Sequence, residues 1–556
     1  MKDLFRKVAE EKENITVDGV PGYNEKAQFT NGKVICEASW VVCEILNPEE
    51  REEGLKQIGQ LVSITSGMKY ETWGILYALE GIYRLKQNAM LEKAVEPDDL
   101  ETLRKVLDWR TFVDTEKDFA LIGKPTNYYG VAFGIARYRE LLEWEPVHYS
   151  GILLDHLLDH ISRYSGAYGY MDETRGAGRY DRYSILIPAE ITELVLSTSW
   201  QEPELIRNML DRSAHICLLM AGARGTGFSY GRSIGAYGDT AALQILSTAA
   251  ALGGIFTKDE EKLARGYCCR LVHNFVDFWY DEDMQSVNLW EKGRRTDGYR
   301  NKNRILGENL SLSIQVIIAE EQWERIGQTL KEEPENWEAL ADRTTRARLI
   351  RFTDEPLPRS LFIYRDGDNV WSLPVINGGD EYLDRDPYMP VPRCNGLLEA
   401  VPDCSHGAWI PCLHMANGTV LMPLGYAEDT CITENDGAVC KVHISQKGMV
   451  LAGKKPAQKE NGVCIKTEYT FMPGKIVRED NITISQALIG EIRSVTLQCE
   501  MLKGEAEAEG YAKRRDVTNE VECLDTPHGR CSSAVLYEQS SIPKDGIFYL
   551  KWTYRY

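Results

Sequence analysis

Residues 151–164 read GILLDHLLDHISRY, and their leucines decide the fold class of the first half of the chain. Leu153, Leu154, Leu157, Leu158 and Ile161 recur at three and four positions, the spacing that lays one apolar stripe along one face of an α-helix. The same period returns at 34–46, 70–85, 100–109, 128–142, 184–198, 204–221, 240–252, 258–279 and 309–319. Helical runs this numerous, with almost no strand signal between them, predict a helical array over residues 1–350. An open solenoid would repeat its sequence every ~34–47 residues, and no such self-similarity is present. The unusual residues gather in the connectors instead, which favours helical hairpins closed into an (α/α) toroid with one functional rim.

After Arg351 the pattern changes to period two between Gly, Asn and Asp turns, as in SLFIYRDGDNVWSLPV and AVCKVHISQKGMVLAG. Hairpin signals stand at Asp366-Gly367, Asn417-Gly418 and Lys447-Gly448. The acidic run GEAEAEG at 504–510 reads as an exposed turn. The expected fold class is multidomain α and β: an N-terminal (α/α) toroid, residues 1–350, followed by a C-terminal antiparallel β-sandwich, residues 351–556.

A chain of 556 residues with formal charge −20 argues against nucleic acid or an anionic membrane as partner unless basic groups are locally gathered. No window supplies the ~20 apolar residues of a membrane span, and the charged opening MKDLFRKVAEEKENITVDG lacks the pattern of a secretory leader. The expected location is therefore the cytoplasm, where fourteen scattered cysteines would be reduced thiols. His156 and His160 stand at i, i+4 on the leucine-striped run, but no third ligand is evident. Neither a metal nor a cofactor is assigned, and the oligomeric state is left open.

Four connectors carry chemistry. KPTNYYG brings Asn127, Tyr128 and Tyr129 to a helix start, where Asn is either an N-cap or an amide at a cleft rim. YSGAYGYMDETRGAGRYDRYS is too long for an idle connector in a compact array; it contains Asp172, Glu173, Arg175, Arg179, Tyr180, Asp181 and Tyr183. GFSYGRSIGAYGD, residues 227–239, breaks the backbone with four glycines and supplies Tyr230, Arg232, Ser233 and Tyr237. The fourth, residues 280–311, gathers Lys292, Arg294, Arg295, Arg300, Lys302 and Arg304 beside Asn301 and Asn303. In so acidic a chain, a rim that basic implies an anionic ligand.

An acidic oligosaccharide suits these groups. Cleaving a uronide by β-elimination needs a neutraliser for the carboxylate, a base for the α-proton and an acid for the leaving oxygen. Asn127 and Arg232 can neutralise, and Tyr180, Tyr183, Tyr230 or Tyr237 can move the proton. Tyr128, Tyr129, Arg175, Arg179, Asp181, Arg294, Arg300, Asn301 and Asn303 can hold the sugar. Hydrolysis would instead use two carboxylates, with Asp172, Glu173, Asp181, Glu190 and Asp239 available. A protein that only binds glycans is the third alternative.

The order of Asn127-Tyr128-Tyr129, the tyrosine-rich loop 164–183 and the Gly231–Ile234 turn resembles the toroidal polysaccharide lyases: the hyaluronate and chondroitin lyases and the broader heparinase II/III-like group. The resemblance implies an incomplete (α/α) toroid with C-terminal antiparallel sheets. It also implies that Asn127 neutralises the uronate, that Tyr180 or Tyr183 moves the proton, and that Arg232 holds substrate. The tyrosine loop lacks the His of hyaluronate-type enzymes. Either one Tyr serves as both base and acid, or His406 or His414 arrives from the β half.

Overall fold

The computed structural model describes residues 1–165, 180, 182–230, 234–292, 294, 301–354, 358–376, 388–390, 409–452, 458–521 and 525–556. Six helices form the inner layer of the first half: α1 (Phe29–Trp40), α2 (Thr72–Gln87), α3 (Tyr128–Leu141), α4 (Arg182–Ser197), α5 (Ala236–Leu252) and α6 (Ile305–Arg325). α1 is buried along its whole length, as befits a helix with neighbours on every side. Outer helices such as Tyr149–Tyr164 bury a single stripe, here Leu153, Leu154, Leu157 and Ile161.

The inner helices contact one another in a circuit that returns to its start. α1 meets α2 at glycines: a Cβ on Gly32 would stand 1.7 Å from the Gly74 carbonyl oxygen, so only glycine permits the approach. On α2, Tyr83 lies 5.6 Å from Tyr138 of α3. α3 reaches α4 through Tyr138 and Ser197, whose oxygens are 3.3 Å apart. Gln244 of α5 donates to Glu193 of α4 at 2.9 Å, and Trp323 of α6 donates to Ser247 of α5 at 3.0 Å. Lys33 of α1 closes the circuit by donating to the Gly307 carbonyl of α6 at 3.0 Å.

Helix Pro48–Ser66 has no counterpart in the sequence expectations. Asn47 caps it by accepting from the Glu49 and Glu50 amides, and it buries Leu55, Ile58, Leu61 and Val62. Its charged opening, PEEREEG, hides that stripe. The run expected as one helix at 258–279 changes at Phe275 from α to π geometry.

In the second half, Ala347–Thr353, Arg359–Asp366 and Asn369–Ile376 form a three-stranded antiparallel sheet. An eleven-stranded sheet follows between Cys412 and Arg555. Phe362 and Tyr364 of the small sheet pack on Phe471 of the large one, at 4.9 and 5.3 Å. The two layers are thus very unequal in width. The Asp366-Gly367 and Asn417-Gly418 turns join paired strands. Lys447-Gly448 is instead a bulge inside strand Cys440–Leu451: Lys447 pairs with Cys464 and Met449 with Glu460, leaving Gly448 at φ +87°. The acidic run is also corrected, because Glu505–Glu509 is an edge strand along Ile547–Arg555, where charge discourages further pairing.

The halves are bound together. Arg365 donates to the carbonyls of Leu219 at 3.0 Å and Ala221 at 2.6 Å. Among the described residues no helix is long and apolar enough to cross a membrane, and every cysteine is a free thiol.

Candidate active site

A cavity of about 350 Å³ lies at the centre of the helix circuit. Phe29, Trp73, Asn127, Tyr128, Arg182, Tyr183, Tyr237 and Arg304 line it, and each stands at or within two residues of the start of its helix. The amino ends of all six inner helices therefore open on one space. Each helix start carries roughly half a positive charge, and Lys33, Arg182 and Arg304 add full ones. Lys33 lies 4.4 Å from the Phe29 ring and Arg304 4.5 Å from it. Glu71, at the N-cap of α2, and Glu308, 2.7 Å from Arg304, offset part of that charge. Trp73, Tyr77, Tyr128, Tyr183 and Tyr237 supply ring faces and edges on which a sugar can pack.

Asn127 stands just before α3, yet its side chain makes no capping bond. The amide Nδ2 donates to the Tyr183 hydroxyl at 3.0 Å, and Oδ1 has no hydrogen-bond partner. Burial, and then the nearby Glu190, push the Tyr183 phenol well above its ordinary pKa. Tyr183 is therefore a protonated donor at rest. Arg182 sits 5.5 Å from the Tyr183 ring and 5.8 Å from the Tyr237 ring.

Deeper in the cavity are three carboxyl groups: Glu80, Glu190 and Glu193. Burial raises Glu190 to about 7, against the lowering influence of Arg182. Burial and the neighbouring Glu80 raise Glu193 to about 8. Gln244 and Gln315 both donate to Glu193 Oε2, at 2.9 and 3.4 Å. Glu80 is also raised by burial, and accepts from Trp40 Nε1 at 3.4 Å.

Of the residues the sequence singled out, Asn127, Tyr128, Tyr183 and Tyr237 meet in this cavity. Tyr180 does not line it: its ring is 1% exposed and stacks on Phe352 of the β half at 5.0 Å. Tyr230 is buried beside Phe228. Tyr129 turns outward and stacks on His156 at 5.5 Å, so that histidine packs an aromatic. Arg294 lies over Phe278 at 4.5 Å, and Asn301 and Asn303 do not line the cavity. Lys292 bonds to Asp281 at 2.8 Å, and Lys302 pairs with Asp18 and Glu291. Of the described cations in the expected basic rim, Arg304 lines the cavity, where it pairs with the buried Glu308 at 2.7 Å, while carboxylates elsewhere engage Lys292 and Lys302. Arg175, Arg179, Asp181, Arg232 and Arg300 lie outside the described residues, as do Asp172, Glu173, Ser233, Arg295 and His406.

Asp239 is not placed for hydrolysis. Its carboxylate accepts from the Gly227 amide at 2.6 Å, Asn274 at 2.7 Å and Trp279 at 2.7 Å. It clasps the glycine-rich turn to α5. His414, in the large sheet, bonds to Thr496 at 2.7 Å and does not line the cavity. Among the described residues no cluster of His, Cys, Asp or Glu could hold a metal.

Sequence reasoning passed over Lys33, Glu80, Arg182, Glu193 and Gln244. A signal existed: each is a polar residue in or at the start of an otherwise apolar helical run.

No family model and no curated protein matches the chain. Among solved structures, a chondroitinase AC lyase studied as enzyme–oligosaccharide complexes aligns with a TM-score of 0.32 and 8% identity, over 95% of this chain and 82% of that one.

Proposed function

We propose that the protein is an enzyme that cleaves a uronic-acid-containing oligosaccharide by β-elimination in the central cavity. The observation that carries this reading is the Asn127–Tyr183 hydrogen bond of 3.0 Å, set in an aromatic wall where six helix starts and three cations converge. Asn127 and Arg182 bind the uronate carboxylate and draw off its charge, which makes the α-proton acidic. Glu190, near half ionisation at neutral pH, takes that proton. The C–H electrons form the new double bond next to the carboxylate, the bond to the glycosidic oxygen breaks, and the Tyr183 phenol gives that oxygen its proton. Water restores the tyrosine proton and accepts the one on Glu190. The division into an (α/α) toroid, residues 1–350, and a β-sandwich, residues 351–556, belongs to the same reading, with Arg232 as a further substrate-holding cation.

Hydrolysis is the second reading, favoured by one observation. Glu190 and Glu193, three residues apart on α4, both face the cavity with raised pKa values, so the two carboxyl groups that hydrolysis uses stand on one helix face. It ranks lower because Gln244 and Gln315 hold Glu193 and Glu80 lies against Trp40, so neither matches the freedom of Glu190. A screen of uronate oligosaccharides decides between them. Elimination yields a product with the ultraviolet absorbance of a conjugated double bond; new reducing ends without that absorbance would assign hydrolysis, and no turnover would reject both.

A further inference from the structure

The turn that brings Arg182 and Tyr183 to the cavity is incompletely held by its own helix. Pro188 stands inside α4 and has no amide hydrogen to give the Ser184 carbonyl, so one rung of the helix's ladder is missing in that turn. The next carbonyl, that of Ile185, accepts from Ser213 Oγ on the helix Glu204–Met220 at 2.8 Å, a tie from outside α4. A helix start secured in this way takes its place from what it packs on.

Two residues before α4, Tyr180 has a left-handed backbone, φ +57°. A side chain this large rarely adopts it, and such a conformation persists where surrounding contacts over-determine it. The contact comes from the β half. The Tyr180 and Phe352 rings lie 5.0 Å apart with their planes 4° from parallel, and both are buried. Phe352 belongs to the strand Ala347–Thr353, in which Arg351 pairs with Ser360 and Thr353 with Arg359, so Phe352 is the extra residue of a bulge. A bulge re-aims a side chain out of the regular alternation of its strand. The strand is itself anchored, since Arg351 donates to the Thr430 carbonyl of the large sheet at 2.5 Å. A left-handed tyrosine and a bulged strand thus meet in one ring stack. That stack stands immediately before the tyrosine that bonds to Asn127 and the arginine that lies beside Tyr183 and Tyr237.

Given the uronide reading above, we infer that Phe352 and Tyr180 are positioning residues of the active site: the β half, through the bulge at Phe352, fixes where α4 begins and thereby where Arg182 and Tyr183 meet the substrate. Neither ring lines the cavity, so both act through α4. The β half is then a working part of a site whose reacting groups all come from the helical half.

The test uses the intact chain. Tyr180→Leu and Phe352→Leu remove the stack from either side, and Tyr180→Phe keeps it. Phe471→Leu, at a buried ring of the β half packed on Phe362 and Tyr364, controls for general loosening. The ultraviolet assay on a uronate oligosaccharide gives kcat and KM, and backbone hydrogen exchange reads the start of α4. Each of the two stack-breaking variants should lower kcat on the order of 100-fold, the scale of a misplaced reacting group, with a smaller change in KM and faster exchange over residues 182–187. The double variant should be no worse than the single ones, because the two rings act as one unit, and Tyr180→Phe should match wild type in both readouts. Unchanged kcat or unchanged exchange in the stack-breaking variants, or the same losses in Phe471→Leu, overturns the inference and leaves the elimination reading standing. Faster exchange at α4 confined to the stack-breaking variants, in a protein whose wild type turns over no uronide, sinks the elimination reading and leaves the β half fixing the helix start.

Discussion

Replacing Glu193 by Gln should stabilise the protein increasingly as pH rises. In the folded chain burial and Glu80 lift this carboxyl from an ordinary 4.5 to about 8. At about 1.4 kcal/mol per pK unit, ionising it in place would cost about 5 kcal/mol. Glu80 and Glu190 share the same field and part of that cost, so about 2 kcal/mol is the part expected to be measurable for Glu193 alone. The sign follows from proton uptake. Between pH 4.5 and 8 the native state holds a proton that the unfolded chain has lost, so wild-type stability falls as pH rises through that window and levels off above it. The amide carries no such proton, and its carbonyl oxygen can still accept from Gln244. Denaturant midpoints of E193Q and wild type, followed by tryptophan fluorescence, should therefore agree at pH 5 and separate progressively to pH 9. A difference independent of pH, or one of the opposite slope, would refute the placement of an ionisable group in this cavity.

Asn127→Ala and Tyr183→Phe should each lower turnover of a uronide by roughly 100- to 1,000-fold, the effect of losing one preorganised donor. Tyr180→Phe should leave the rate near wild type, since that ring packs on Phe352; the ultraviolet assay reads all three. The rate should rise with pH through about 7 as Glu190 loses its proton, and Glu190→Gln should abolish that rise. Asp239→Ala should destabilise by at least about 3 kcal/mol, because three buried donors lose their acceptor, and a melting shift too small for that would show the clasp to be dispensable. Arg365→Ala should expose the junction of the halves to proteolysis near Leu219–Ala221, and an unchanged digestion pattern would count against this tie.

The helical half was legible because its stripes are regular: the Leu153 to Ile161 spacing places those residues in the core. The centre of the circuit was harder to read. On α2, Trp73, Tyr77, Glu80 and Arg84 follow one another at i, i+4, i+7 and i+11, the spacing of one helix face, yet the sequence around them is apolar enough to look like plain core. Connector loops drew attention because Gly, Tyr and Arg cluster there. Helix starts and inner faces supply the described cavity instead, since a closed circuit brings residues far apart in sequence, such as Lys33 and Gly307, within hydrogen-bonding distance. Lys292 and Lys302 misled for the converse reason: a local excess of cations says nothing about carboxylates donated from Asp18 or Asp281.

The same helix orientation accounts for both ends of the cavity. With the amino ends of the six helices at one end of the cavity, their carboxyl ends, among them Trp40 of α1 and Arg84 of α2, lie toward the other, and their partial negative charge adds to the burial that raises the Glu80 and Glu193 carboxyls. The raised carboxyls at one end and the helix starts at the other are thus set by one parallel arrangement of inner helices. That coupling bears on the chemistry. On the proposed reading, an anionic sugar would meet a potential that falls with depth, which brings its carboxylate to Asn127 and Arg182. Glu190 is buried enough to be raised and near enough to Arg182 to be held near 7, and on the same reading that balance would let a carboxyl act as the base at neutral pH.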